Sequence, residues 1–110
     1  MSDETTASAP QRKSHEITLS EPIVRGETKI DTLTLRKPKA GELRGLSIAD
    51  LQNAQVTAVI TLLPRISAPP ITEPEAANME PEDLATCAGA IIDFFMTQDQ
   101  RAIVAELLKG

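Results

Sequence analysis

Few side chains in this 110-residue chain could perform covalent or metal chemistry. There is one cysteine, Cys87, and one histidine, His15. A zinc site needs several such ligands at set spacings, so this pair makes a poor one. Cys87 falls within an apolar pattern, where a free cysteine behaves as a small buried hydrophobe. No basic group lies within a turn of it to stabilise a thiolate. His15 would need an orienting partner and a pocket to act as a base, and its position at the start of a strand favours a solvent-exposed ring. Glu80, Glu82 and Asp83 suit a helix N-terminus, where carboxylates meet the positive end of the dipole, better than a metal. The stretch Gly41-Glu-Leu-Arg-Gly45 lacks the Lys-Ser/Thr ending of a phosphate-binding loop. No catalytic constellation emerges, and no cofactor is implied.

The elements that must hold these residues can be read from the spacing. Ile17 and Leu19 alternate with Glu16, Thr18 and Ser20. After Pro22 and Gly26, Ile30, Leu33 and Leu35 sit among threonines, a strand composition. The pattern predicts a β-hairpin pairing about 15–20 with 29–36, with Ile23 and Val24 either extending the first strand or packing at the turn. Pro38 ends the second strand. Ser47 and Asp50 form a helix-start signal. Val56, Val59, Ile60 and Leu63 recur at helical spacing until Pro64, which is expected to stop the helix. A break at Asn53 or Gln55 would divide 47–63 in two. Residues 64–72, rich in proline, are expected to be extended or turned. Thr72 and Glu75 form a capping box for a short helix near 73–78.

Pro81 opens a helix in which Leu84, Cys87, Ala88, Ile91, Ile92 and Phe95 form one apolar stripe. Phe94 lies beside it. Beyond Thr97-Gln-Asp-Gln come Ile103, Val104, Leu107 and Leu108, either in a last helix capped by Asp99 or in a continuation of the same helix. The fold class expected is α+β: an N-terminal β-hairpin, a small bundle of short helices and a longer amphipathic C-terminal helix. Residues 1–14 read as a disordered arm and 15–110 as one small domain, with the hairpin at 15–36 and the helical part at 39–109. The apolar surface of 84–108 exceeds what so small a fold needs to cover.

Composition narrows the partner class. The net charge is −5, with two Phe and no Trp or Tyr. Residues 46–110 carry nine acidic groups against three basic ones, whereas 15–45 carry six basic and five acidic. Nucleic-acid binding wants clustered cations and stacking rings, so it is not expected. No run approaches a membrane span, and the start of the chain lacks a secretory pattern. A cytoplasmic protein binding another protein is the expectation. The basic cluster Arg36, Lys37, Lys39 and Arg44 is either a solvated turn or a contact for an acidic surface. Self-association is a further reading, with that basic end meeting residues 73–83 of another copy.

The residues also carry a resemblance. Leu33-Thr-Leu-Arg-Lys-Pro-Lys-Ala-Gly-Glu-Leu-Arg-Gly-Leu-Ser, then Leu62-Leu-Pro-Arg-Ile-Ser-Ala-Pro-Pro-Ile-Thr, together with Pro22-Ile-Val-Arg-Gly, occur in an order similar to that in the small tail assembly chaperones of contractile-tailed bacteriophages and prophages. These are grouped as the E, 41 or 14 family. The resemblance covers about residues 17–96. It implies a chaperone that acts in the host cytoplasm, coats the tape measure protein, keeps it soluble, helps bring tail tube subunits to it, and is absent from the finished virion. It also implies a reading frame that often shifts near the C-terminus to give a longer minor product. The rival expectation is a minor structural tail or head-completion protein that stays in the particle. Candidate partner-binding residues are Ile91, Ile92, Phe95, Ile103 and Leu107 on the helical stripe. The corner Leu62, Leu63, Pro64, Arg65 and Ile66 comes next, although a helix stop packed on the core explains it as well. Arg36 and Lys37 complete the set.

Overall fold

The computed structural model describes residues 14–109. The arm expected at 1–14 therefore lies outside the described residues, except Ser14, the first residue of β1. Strands β1 (Ser14–Arg25) and β2 (Thr28–Arg36) form the hairpin, turning at Gly26, whose φ is 55°. Glycine takes that left-handed conformation without a Cβ penalty. Pairing runs from Ser14↔Arg36 to Thr18↔Thr32, breaks, and resumes from Ile23↔Ile30 to Arg25↔Thr28. Ile23 and Val24 thus extend the first strand beyond an irregularity around Pro22, which has no N–H to give to a ladder. The class is α+β, as the spacing implied.

A 3-10 turn (Ala40–Leu43) leads to α1 (Ile48–Gln52) and α2 (Val56–Ile66). Ser47 Oγ accepts from the Asp50 amide at 3.2 Å. The break falls at 53–55, where Ala54 takes φ 57° and the Gln55 side chain caps α2 by accepting from Ala58 N at 2.8 Å. Pro64 does not stop α2, which continues to Ile66. A proline inside a helix forfeits one backbone bond and crowds the preceding turn, at a cost of about 3 kcal/mol. Leu62, Leu63 and Ile66 are each almost wholly buried. Burying such side chains is worth roughly 1.5–3 kcal/mol each, which holds the last turn.

Ser67–Ala68 then adds β3 antiparallel to β2, giving the order β1-β2-β3. The Ala68–Pro69 peptide is cis. Helix α3 (Glu73–Ala77) carries the expected capping box: the Glu75 amide donates to Thr72 Oγ1 at 3.2 Å, and the Thr72 amide donates to Glu75 Oε1 at 2.9 Å. Helices α4 (Pro81–Phe95) and α5 (Gln98–Lys109) follow. The chain breaks between them at Met96–Thr97. The cap of α5 is Thr97 rather than Asp99, because Thr97 and Gln100 exchange side-chain-to-amide bonds at 2.9 and 3.1 Å.

The core lies between the sheet and helices α1, α2 and α4. Leu33, Leu35, Leu51, Leu62, Leu63 and Ile91 are wholly buried there. Of the stripe the spacing suggested, Cys87, Ala88 and Ile91 are buried, together with Asp83, Ala90 and Phe94, while Leu84, Ile92 and Phe95 lie half-exposed at its edge. Strand β1 packs on the inward face and selects Phe94, whose ring sits 5.0 Å from that of His15.

Candidate functional site

The structure divides the expected partner-binding residues into two groups. Ile91, Leu62, Leu63 and Ile66 are sealed in the core. As partner surface these four are corrected: they face the inside of the fold, and none could meet another chain without unfolding it. Pro64 is half-buried in the last turn of α2. Arg65 is engaged internally, since its Nη1 donates to the Glu42 carbonyl at 2.7 Å and the Arg44 carbonyl at 2.9 Å. Arg36 is engaged likewise, forking onto the Glu42 carboxylate and donating to the Arg65 carbonyl at 3.0 Å. That fork pulls Glu42 from its ordinary 4.5 to about 2. These contacts fasten the end of β2 to α2, so the corner acts as a structural knot. Lys37 is half-buried beside it.

The second group forms an apolar surface. Ile103 is 60% exposed and Leu107 75%, joined by Val104 and by Leu108 at 82%. All four lie on α5, which buries none of its residues. Spacing of i, i+1, i+4, i+5 puts them on one stripe. Ile92 and Phe95 continue that surface onto α4: with Ile103 and Val104 they wall a cavity of about 330 Å³. A second, about 450 Å³, adjoins it across Ile92, lined by Val56 and Val59 of α2 and by Leu84, Ala85, Ala88 and Gly89 of α4. Val56, 56% exposed, stands at its rim. An apolar strip therefore runs from the start of α2 along α4 to the tip of α5. Exposed contiguous apolar surface of this kind marks protein docking sites.

Polar groups fix the strip in place. Arg101 near the start of α5 donates from Nη1 to Asp93 Oδ1 and from Nη2 to the Asp93 carbonyl, both at 2.6 Å. His15 Nε2 meets Asp93 Oδ2 at 2.7 Å. Burial alone would raise the Asp93 carboxyl, but the bonds from His15 and Arg101 outweigh it and hold the group below its usual range. His15 is thus half-buried and partnered, not the free ring expected from its place on the strand. Asp83, in the first turn of α4 as expected, is also buried: it accepts from Ser20 N at 2.9 and 3.0 Å and from Ser20 Oγ at 2.9 Å. It satisfies an amide left outside the β1–β2 pairing. Neither role had a sequence signal, because both partners lie more than sixty residues away. Cys87 is wholly buried, and that burial, with Asp83 nearby, pushes its thiol up to about 11. It is a protonated core side chain at neutral pH.

No group of three or more His, Cys, Asp or Glu side chains suited to a metal occurs among the described residues. No helix among them is long and apolar enough to cross a membrane.

Comparison with known proteins gives this surface its context. Residues 16–96 match the family model of phage tail assembly chaperone proteins, E, or 41 or 14. The chain is 48% identical over 82 residues to tail assembly protein E of Escherichia phage P2, covering 74% of this chain and 90% of that protein. It is 45% identical over 86 residues to tail assembly protein E' of the same phage, covering 78% of this chain but only 61% of that protein. No solved structure matches it. The chain belongs to the phage tail assembly chaperone family E, 41 or 14, and its role is in tail assembly.

Proposed function

We propose that the chain binds the tape measure protein during tail assembly in the host cytoplasm, keeps it soluble, helps recruit tail tube subunits, and is absent from the mature virion. The observation that carries this reading is the exposed apolar face of α5, continuous with Ile92 and Phe95 on α4. A long helical client with apolar faces is unstable alone in water, and an amphipathic helix laid against it covers those faces. The surface is shallow and borne on a helix none of whose residues is fully buried. Contacts of that kind release readily, as a chaperone displaced by tube subunits requires. Within the partner set, Ile92, Phe95, Ile103 and Leu107 remain, joined by Val104 and Leu108.

Two experiments test the proposal. Tagged chain expressed with the tape measure protein is expected to co-purify with it. Failure to co-purify would remove the client. Quantitative mass spectrometry of purified virions is expected to find the chain absent, and stoichiometric presence would favour a structural tail or head-completion component instead.

A further inference from the structure

Between Thr97 and Lys109 only Arg101 is even half-buried; every other residue of that stretch is exposed. Its guanidinium is inserted against the end of α4, with Nη1 on Asp93 Oδ1 and Nη2 on the Asp93 carbonyl, both at 2.6 Å. The other carboxylate oxygen of Asp93 is taken by His15 Nε2 at 2.7 Å. The His15 ring in turn rests 5.0 Å from that of the buried Phe94. One line of contacts thus runs from α5 through Asp93 to β1. Apolar packing adds little to it: Ile103 and Val104 wall an open cavity of about 330 Å³ instead of filling it. The contact is also imperfect, because Arg101 Nε is buried with no hydrogen-bond partner. That is a penalty of the seated state which water removes once α5 leaves. At Met96 the backbone turns extended, with φ −75° and ψ 135°. Beyond it Thr97 and Gln100 cap α5 from within its own first turn, so that cap does not depend on the body of the fold.

We infer that His15, Asp93 and Arg101 form a latch governing an equilibrium between a seated and a released α5, with the hinge at Met96–Thr97. Arg101 is the bolt and Asp93 receives it. His15 is a positioning residue: it touches nothing on α5 in this line of contacts and acts by holding the Asp93 carboxylate in place. Once released, a helix of 12 residues is marginal in water, so α5 frays until its apolar stripe is covered. The latch is a property of the chain alone. Its use rests on the proposed function: release adds Ile92 and Phe95, with the inner side of Ile103 and Val104, to the surface offered to the client.

Residue-resolved hydrogen exchange on the full-length chain tests this. In the wild type the amides of Ile103–Leu107 are expected to exchange faster than those of Leu84–Ile92, yet more slowly than in an unstructured peptide. Arg101→Ala and Asp93→Ala are each expected to speed exchange at Ile103–Leu107 by about tenfold, the scale of losing hydrogen bonds between charged groups, with Leu84–Ile92 unchanged. His15→Ala should give a smaller acceleration in the same residues, and none when added to Asp93→Ala, because its effect passes through that carboxylate. Arg101 contributes nothing to the core, so its variant folds even if Asp93→Ala does not. Unchanged exchange at Ile103–Leu107 in Arg101→Ala overturns the latch. So does acceleration spread equally over Leu84–Ile92, which would mean global unfolding, or a wild-type α5 with no protection at all. A His15→Ala effect that persists in full beside Asp93→Ala overturns the positioning role. No client enters the experiment, so its result is separate from the co-purification that tests the proposed function.

Discussion

Ile91 and Leu107 are both aliphatic, both helical and both at positions where the sequence pattern looks the same, yet one is wholly buried and the other three-quarters exposed. A charge at each separates their roles. Ile91→Asp places an unpaired carboxylate in the core and is expected to cost about 3 kcal/mol or more, measured by urea denaturation. Leu107→Asp is expected to change stability by less than about 0.5 kcal/mol, while weakening client binding. Acid should reveal the polar fasteners. Glu42 and Glu75 are held at about 2 in the fold, by Arg36 and Arg25 respectively, against an ordinary 4.5. Asp93 is also held low. A carboxylate depressed in the fold stabilises it above the ordinary value and loses that contribution as pH falls toward the folded value. Denaturation midpoints should therefore decline from about pH 4.5 toward 2. The slope should be shallow, because the Glu42 and Glu75 pairs face solvent. Glu75→Gln and Asp93→Asn should each flatten it further.

Helix α5 carries much of the proposed docking surface, and it is joined to the rest chiefly by the clasp of Arg101 on Asp93 and by Ile103 and Val104 beside Phe95. A chain truncated after Met96 is expected to keep the circular dichroism and cooperative melting of the remaining elements, with only a small fall in melting temperature. Loss of cooperative unfolding would show that α5 is integral to the core. The turn between α1 and α2 has its own signature. Ala54 sits at φ 57°, a left-handed conformation that costs a non-glycine residue about 1 kcal/mol. Ala54→Gly is expected to raise stability by up to that amount in thermal melts.

The sequence made local features legible. The Ser47 cap, the Thr72 box and the β-strand alternation each involve residues within a few positions of one another. Three features were not. Pro64 reads as a stop, but tertiary burial of Leu62, Leu63 and Ile66 carries the helix past it. The inward face of α4 is set by β1, so Phe94 is buried and Phe95 half-exposed, the reverse of the order that periodicity gives. His15 and Asp83 owe their roles to partners distant in the chain. Of the candidate surface, Ile92, Phe95, Ile103 and Leu107 were legible as surplus apolar residues. Ile91 carried the same signal and was indistinguishable from them without the strand that covers it.

At the scale of the whole molecule, a sheet-and-helix body hides one side of α4 and leaves the other, together with the apolar stripe of α5, exposed. A net charge of −5 opposes close, non-specific approach of two such molecules. Membership of the tail assembly chaperone family is consistent with a body that serves to display a docking helix. The most direct test is the partition of the tape measure protein between soluble and pelleted fractions when it is co-expressed with this chain. Wild type should hold it in the soluble fraction, and the variant carrying Leu107→Asp and Leu108→Asp, folded but stripped of its apolar tip, should let it pellet. Equal solubility with the two, or none with either, would contradict the docking surface on α5.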